Sequence, residues 1–319
     1  MPPAVTPSAK NSTNIRALIG FLAQRTLIRG GFRLAPGWAA DRAARFFLAP
    51  LRRPAPGRTR YVSRETPLAV EAPSGPVAAW LYGRAENPHG ETVLLVHGWE
   101  DDHLSWAVLA DRLVQDGYRV LALDLPGHGR SPGQIPGGIA PIPVQAAAVA
   151  AVAREAAVLG LTPFRAAIAH SLGGTATLIA ATEMGLRAER FAILASPNHP
   201  RLFAGAMMKM LGLSPQQTAR VFDAIERIVG RSMDSLYLPP KLRQLAAPGL
   251  ILHSRDDRTV PLQHSQENAA AWARADFRIL DGLGHRRLMS DASVHAMLLH
   301  FVNADAPADA FGLKTDAAE

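Results

Sequence analysis

The sequence predicts an α/β fold: a mostly parallel central sheet with helices on both faces, a helical insertion and an N-terminal helical extension. Three observations lead there. From about residue 65 to residue 303, short apolar runs alternate with segments of helical period. Several runs, VLLV at 93–96 and VLAL at 120–123 among them, are continuously apolar, as strands covered on both faces require. The rhythm breaks once, over 197–247, where the chain reads as helix alone.

Composition narrows the field. The 319 residues, 48% of them hydrophobic, suffice for one large core or two smaller ones. There is no cysteine, which excludes disulfides, thiolate metal sites and a cysteine nucleophile. The net charge of +7 is unevenly spread: residues 1–64 hold twelve Lys and Arg against one acid, Asp41, while the remainder holds 22 basic and 26 acidic residues. Such a segment suits the protein's own acidic surface or an anionic membrane surface, and nucleic acid is not expected as a partner. No apolar run reaches the ~20 residues that span a bilayer. No secretory pattern with a small-residue cleavage site is evident. The expectation is a cytoplasmic protein, with peripheral membrane contact through the N-terminal segment as the variant reading.

Taken in order, residues 1–12 lack apolar period and read as disordered. Helices are expected over 14–29 and 38–50, and RRPAPGR at 52–58 reads as a linker, so that 1–60 form an extension. PLAVEA and PVAAWLYG read as a strand pair turned around PSG. The core then runs over 61–196 and 248–305: strand TVLLVHG, helix 104–116, strand RVLALDL, an Ala-rich helix ending at Gly160, strand FRAAIAHS, helix GGTATLIAATEMG, strand RFAILAS. Within the 197–247 insertion, one helix starts at Ser214, with Pro215 in its first turn and Gln217 at the capping-box position. Strand GLILHS, helix 262–274, strand FRILDG and helix 292–303 complete the core, and 306–319 read as a flexible tail.

The most informative segment is IAHSLGG at 168–174. A strand ends, a serine follows, and Gly-Gly opens a helix. A serine on such a turn is held in a strained conformation with its hydroxyl exposed, and small residues, here Ala169 and Gly173, must flank it because strand and helix approach closely. A nucleophilic serine needs a base, and the base an orienting acid. ILHSRDDRTVP ends a strand and places Asp256 and Asp257 in the loop beyond; ILDGLGHRRLM ends the next and places His285 in its loop. In an open parallel sheet these loops share the carboxyl edge where active sites form.

With VHGW, LDLPGHGRS, AHSLGG, DDRTVP and GHRRL, the chain over about 65–303 resembles the α/β-hydrolase fold enzymes of the esterase/lipase type. The resemblance implies Ser171 as nucleophile, His285 as general base and then acid, and, through the D-x-x-V-P spacing, Asp257 as the orienting acid. It implies an oxyanion hole made by the backbone N–H groups of Leu172 and Trp99, and places a lid at the insertion. Asp256 then reads as a loop or capping carboxylate. Met207, Met208 and Met210 in the insertion, with His170 beside the serine, are candidate substrate contacts; the methionines read equally as core.

Two stretches invite other chemistry. VHGWEDDH at 96–103 has the residue types of a metal site, but His97 and His103 lie six apart across a turn rather than at helical spacing. Asp101 or Asp102 reads instead as a helix cap, and neither metal nor cofactor is expected. LDLPGHGRS has G-x-G, but Pro132 stands at the third glycine position of a dinucleotide loop, so Asp124 and His128 read as residues of the active-site rim. The expected function is hydrolysis of a carboxylic ester with an apolar acyl group. Acyl transfer, thioester cleavage or perhydrolysis on the same residues, or non-catalytic ligand binding, are the alternatives.

Overall fold

The computed structural model describes residues 10–50, 65–83, 91–131 and 138–304, with side chains from residue 18 onward. The first nine residues, the linker expected at 52–58, Pro132 with Gly133, and the tail at 306–319 lie outside the described residues.

Along the chain come α1 (Lys10–Leu34) and α2 (Pro36–Leu48), then the strands β1 (Glu65–Ala72), β2 (Gly75–Tyr82) and β3 (Thr92–Val96). A 3-10 turn, His103–Trp106, leads into α3 (Ala107–Gln115), followed by β4 (Arg119–Leu123), α4 (Ile142–Val158), β5 (Phe164–His170), α5 (Leu172–Glu183) and β6 (Phe191–Leu194). The insertion supplies α6 (Pro200–Leu211), α7 (Pro215–Val229) and α8 (Pro239–Leu242). β7 (Gly249–Ser254), α9 (Leu262–Ala271), β8 (Ala275–Leu280) and α10 (Ala292–Asn303) close the chain. The expected elements are all present. α1 starts four residues before the 14 read from apolar spacing, because a helix once nucleated propagates through residues that contribute no apolar face.

The chain divides into two compact units. The larger, Leu48–Pro200 with Met233–Glu319, holds one eight-stranded sheet in the order β1-β2-β4-β3-β5-β6-β7-β8. β1 and β2 pair antiparallel, as does β2 with β4; the remaining pairs are parallel. β3, β5, β6 and β7 are buried along their whole length, which is why their sequences do not alternate, whereas the edge strand β8 is partly exposed. Ala148, Val149 and Val152 of α4 and Ala176, Leu178 and Ile179 of α5 cover one face. Leu109 and Leu113 of α3, with Val294, Leu298 and Val302 of α10, cover the other. The chain passes from β3 to β4 in one direction and returns across β3 to β5, so the winding reverses between β4 and β5. At such a reversal the loops beyond the strand ends part and leave a crevice.

The smaller unit joins the residues up to Phe47 with Arg201–Ser232. Ile28 and Phe32 of α1, the alanines 39, 40, 43 and 44 of α2, Ala204 and Met208 of α6, and Val221 and Ile225 of α7 are buried. Phe47 packs on Phe203 with ring centroids 6.0 Å apart, and Asp41 pairs with Arg227. α7 opens with the capping box foreseen in the sequence: the Ser214 hydroxyl accepts from the Gln217 N–H, and the Gln217 side chain accepts from the Ser214 N–H. It closes on Gly230 in the left-handed region. No helix among the described residues is long and apolar enough to cross a membrane.

Removing the Ser214 hydroxyl leaves the N–H of Gln217 without its partner. Ser214→Ala is expected to cost about 1 kcal/mol, read as roughly fivefold faster hydrogen exchange of the α7 amides.

Candidate active site

Ser171 follows the last residue of the fully buried strand β5 and precedes α5. Its backbone sits at φ 52° and ψ −128°, a left-handed conformation that strains any residue with a Cβ. Three contacts impose it. The Ser171 N–H donates to the Leu194 carbonyl of β6 at 2.8 Å, and the Gly174 N–H donates to the Ser171 carbonyl at 2.9 Å. Meanwhile α5 presses against the loop after β3: a Cβ on Gly173 would lie 2.0 Å from the His97 carbonyl oxygen. A Cβ on Gly98 would lie 3.0 Å from the Ser171 Cβ. The glycines at 98 and 173 are therefore what allows the β3 loop to lie against the serine.

The candidate nucleophile, base and acid come together as expected. His285 Nε2 is 2.9 Å from the Ser171 hydroxyl, and its Nδ1 is 2.7 Å from Asp257 Oδ2. The second Asp257 oxygen accepts from the backbone N–H groups of Thr259 at 2.7 Å and Val260 at 3.0 Å. This explains the D-x-x-V-P spacing: the carboxylate closes the turn over the next three residues, and Pro261 precedes α9. Burial alone would raise the Asp257 carboxyl, but the hydrogen bond and charge of His285 and the two backbone donors outweigh it and hold the group below the usual carboxylate range. An ionised Asp257 accepts the His285 Nδ1–H, which leaves the Nε2 lone pair facing the serine hydroxyl.

The His285 loop has further supports that sequence reasoning missed. The Ser254 hydroxyl donates to Asp256 at 2.5 Å and accepts from the N–H groups of Leu283 and Gly284, both at 3.1 Å. Asp256 also accepts from the Gly284 N–H at 3.2 Å. It is thus a loop carboxylate that ties two loops together. Ser254 carried no signal of its own, since a serine ending a strand is common. His170, expected to touch substrate, is only 3% exposed, and its Nε2–H donates to the His285 carbonyl at 3.0 Å. Its ring also packs against that of His285, with centroids 4.6 Å apart. Met207, Met208 and Met210 belong to the smaller unit, where Met208 is fully buried and Met210 is exposed.

Leu172 opens α5, so its N–H has no helical carbonyl to serve. The Trp99 N–H belongs to the same planar peptide as the Gly98 carbonyl. The His97 Nδ1–H donates to that carbonyl at 2.7 Å, and its Nε2 accepts from the Leu125 N–H at 2.9 Å. His97 is fully buried and locked at both nitrogens. Because a trans peptide points its N–H opposite to its C=O, fixing the Gly98 oxygen fixes the direction of the Trp99 N–H.

The remaining charges of VHGWEDDH are committed to local structure. Asp102 caps the 3-10 turn by accepting from the Leu104 N–H at 2.9 Å, and Asp101 accepts from the Asp102 N–H at 3.1 Å. Asp124 and His128 are not at the rim; both are buried. Asp124 accepts from the His103 N–H and Nδ1–H, each at 2.8 Å, and from the Arg130 N–H at 2.7 Å. It is a hub holding two loops, and the His103 ring stacks on Trp80 at 3.5 Å. Burial would raise the Asp124 carboxyl, yet the His103 hydrogen bond and charge bring it below the usual range.

Set beside known proteins, the chain shows its class. A profile of the alpha/beta hydrolase family matches residues 93–297, and the chain belongs to that family. At 26% identity, over 67% of this chain and 93% of the other, it is similar to a non-heme haloperoxidase of Rhodococcus erythropolis. Among solved structures, an esterase of Pyrococcus furiosus superposes with a TM-score of 0.62 at 15% identity, covering 81% of this chain and all of its own. A 2-hydroxy-6-oxo-6-phenylhexa-2,4-dienoate hydrolase of Rhodococcus superposes with a TM-score of 0.55 at 22% identity, covering 75% of this chain and 99% of its own.

Two imidazoles near the site are unprotonated by environment. Burial pushes both His128 and His170 down to about 3, aided by the neighbouring His97 for the first and His285 for the second. The unfolded chain takes up these protons near the ordinary value of 6.5, whereas the fold refuses them until about pH 3. Their contribution is fully present above pH 6.5 and is lost as the pH falls from there toward 3. The unfolding free energy from urea titration is expected to fall over that window by up to about 1.4 kcal/mol per pH unit for each histidine, and His128→Gln is expected to flatten the slope.

Proposed function

We propose that the protein is a serine hydrolase that cleaves carboxylic esters through an acyl-enzyme intermediate. The observation that carries this is the continuous hydrogen-bonded line Asp257–His285–Ser171, with the serine on a strained turn at the carboxyl edge of the sheet. Ser171 Oγ attacks the ester carbonyl while His285 Nε2 takes its proton, and Asp257 stabilises the imidazolium. The oxyanion that forms is received by the N–H groups of Leu172 and Trp99. The intermediate collapses, His285 returns the proton to the departing alcohol, and the acyl group stays on Ser171. Water, deprotonated by His285, then attacks the acyl-enzyme, and His285 gives that proton to the leaving Ser171 Oγ as the carboxylic acid is released. Trp99 and Leu172 bring apolar side chains beside the two donors, which favours an apolar acyl group.

A second reading is favoured by the similarity to a protein named a haloperoxidase. Hydrogen peroxide in place of water would convert the same acyl-enzyme to a peracid and free serine. Peracid formation in the presence of ester and peroxide, at a rate competing with hydrolysis, separates the two.

Ser171→Ala is expected to abolish turnover of p-nitrophenyl esters and labelling by a fluorophosphonate. Equal, negligible rates for wild type and variant across p-nitrophenyl esters of rising chain length, with no labelling of the wild type, would mean a non-catalytic ligand-binding protein. Asp257→Asn keeps the shape but loses the charge and the acceptor, and kcat is expected to fall about 10³–10⁴-fold. His97→Phe frees the Gly98–Trp99 peptide; kcat is expected to drop by up to about 10²-fold with KM little changed, since the loss falls on the transition state.

A further inference from the structure

The smaller unit has a chemistry that ester hydrolysis does not use. On α1, Leu18, Leu22, Arg25, Arg29 and Arg33 recur at intervals of four, three, four and four, which places them in one stripe along the helix. Leu18, Ile19 and Leu22 are 57%, 61% and 45% exposed. Arg29 and Arg33 are exposed as well. A cleft of about 480 Å³ runs along the stripe, lined by the three arginines with Leu22, Thr26 and Gln217.

The arginines converge there without an anionic partner among the described residues. The Cβ position of Gly212 lies 3.4 Å from Arg25 Nη2 and 3.6 Å from Arg29 Nη1, so both guanidinium groups meet at one point. Arg25 Nε is buried and has no hydrogen-bond partner, and none of the three arginines is ion-paired among the described residues. Gln217 is closed in its capping box with Ser214, so the cations, and not the helix terminus, are what the cleft offers an anion. The unit as a whole holds twelve Lys and Arg against three acids.

We propose that this helical unit docks on an anionic lipid surface. Arg25, Arg29 and Arg33 take headgroup phosphates, and Leu18, Ile19 and Leu22 enter the boundary with the acyl chains. Exposed aliphatic side chains in line with guanidinium groups suit an interface that is charged outside and apolar beneath. Nucleic acid would satisfy the arginines and leave the leucines in water. A second copy of the same unit would bring like charge against like charge.

The test is co-sedimentation of the full chain with vesicles of phosphatidylcholine alone, or with about a third phosphatidylglycerol, at low and high salt. Binding is expected only to the anionic vesicles and is expected to weaken with salt. Arg29→Gln and Arg33→Gln are each expected to lower the partition coefficient roughly fivefold. Leu18→Ser with Leu22→Ser is expected to lower it too while leaving the salt dependence in place. These positions are exposed, so unchanged far-UV circular dichroism confirms that each variant is folded. No binding to anionic vesicles, equal binding to neutral ones, or arginine variants that bind like wild type would overturn the proposal. So would release of the vesicles by duplex DNA together with wild-type binding of the leucine variant.

Discussion

The site depends on one close approach: the loop after β3 lies directly against the turn between β5 and α5. No side chain fits at Gly98 or Gly173, and the His97 carbonyl sits where a Cβ on Gly173 would be. Were the two loops pushed apart, the strained Ser171 conformation would lose the packing that enforces it. Strain of this kind persists only where surroundings over-determine it. Here the β3–β5 register, pairing Val96 with Ala169, sets the two loops at the same height before either turn begins.

Around that contact the protein uses imidazoles as rigid struts. His97, His103, His128, His170 and His253 are all buried, and each has a ring nitrogen bonded to a backbone carbonyl, a hydroxyl or a carboxylate. His285 differs in kind: its side chain is 12% exposed, and its two nitrogens face an acid and an alcohol. The same residue type braces the fold or faces the serine according to what lies at its second nitrogen. Asp124 and Asp257 repeat the contrast. Both are buried carboxylates holding a histidine Nδ1–H, but Asp124 ends in a packed hub against Trp80 and Asp257 in a line that reaches the serine.

The succession of strands and helices, the α7 helix cap and the Ser-Asp-His sequence order were all legible in the chain, because each is written in local pattern. Continuous apolar runs mark strands covered on both faces, Ser214 with Gln217 marks a helix start, and small residues around Ser171 mark a tight turn. The struts were not legible. Nothing near His170 in sequence says that its partner is the carbonyl of His285, more than a hundred positions away. Asp124 looked like a rim residue because its loop is rich in glycine, yet that loop folds inward over the carboxylate and buries it.

By itself, the sequence determined the class of fold, the serine turn, the loops that carry the candidate acid and base, and the concentration of positive charge near the N-terminus. Periodicity, turn chemistry and charge are local properties that survive without knowledge of contacts. Tertiary structure alone decided which histidines are struts, how the Gly98–Trp99 peptide is aimed, and that three arginines converge on one cleft. Those outcomes depend on which loops meet, and that is settled by sheet register and packing across distances that no local pattern encodes.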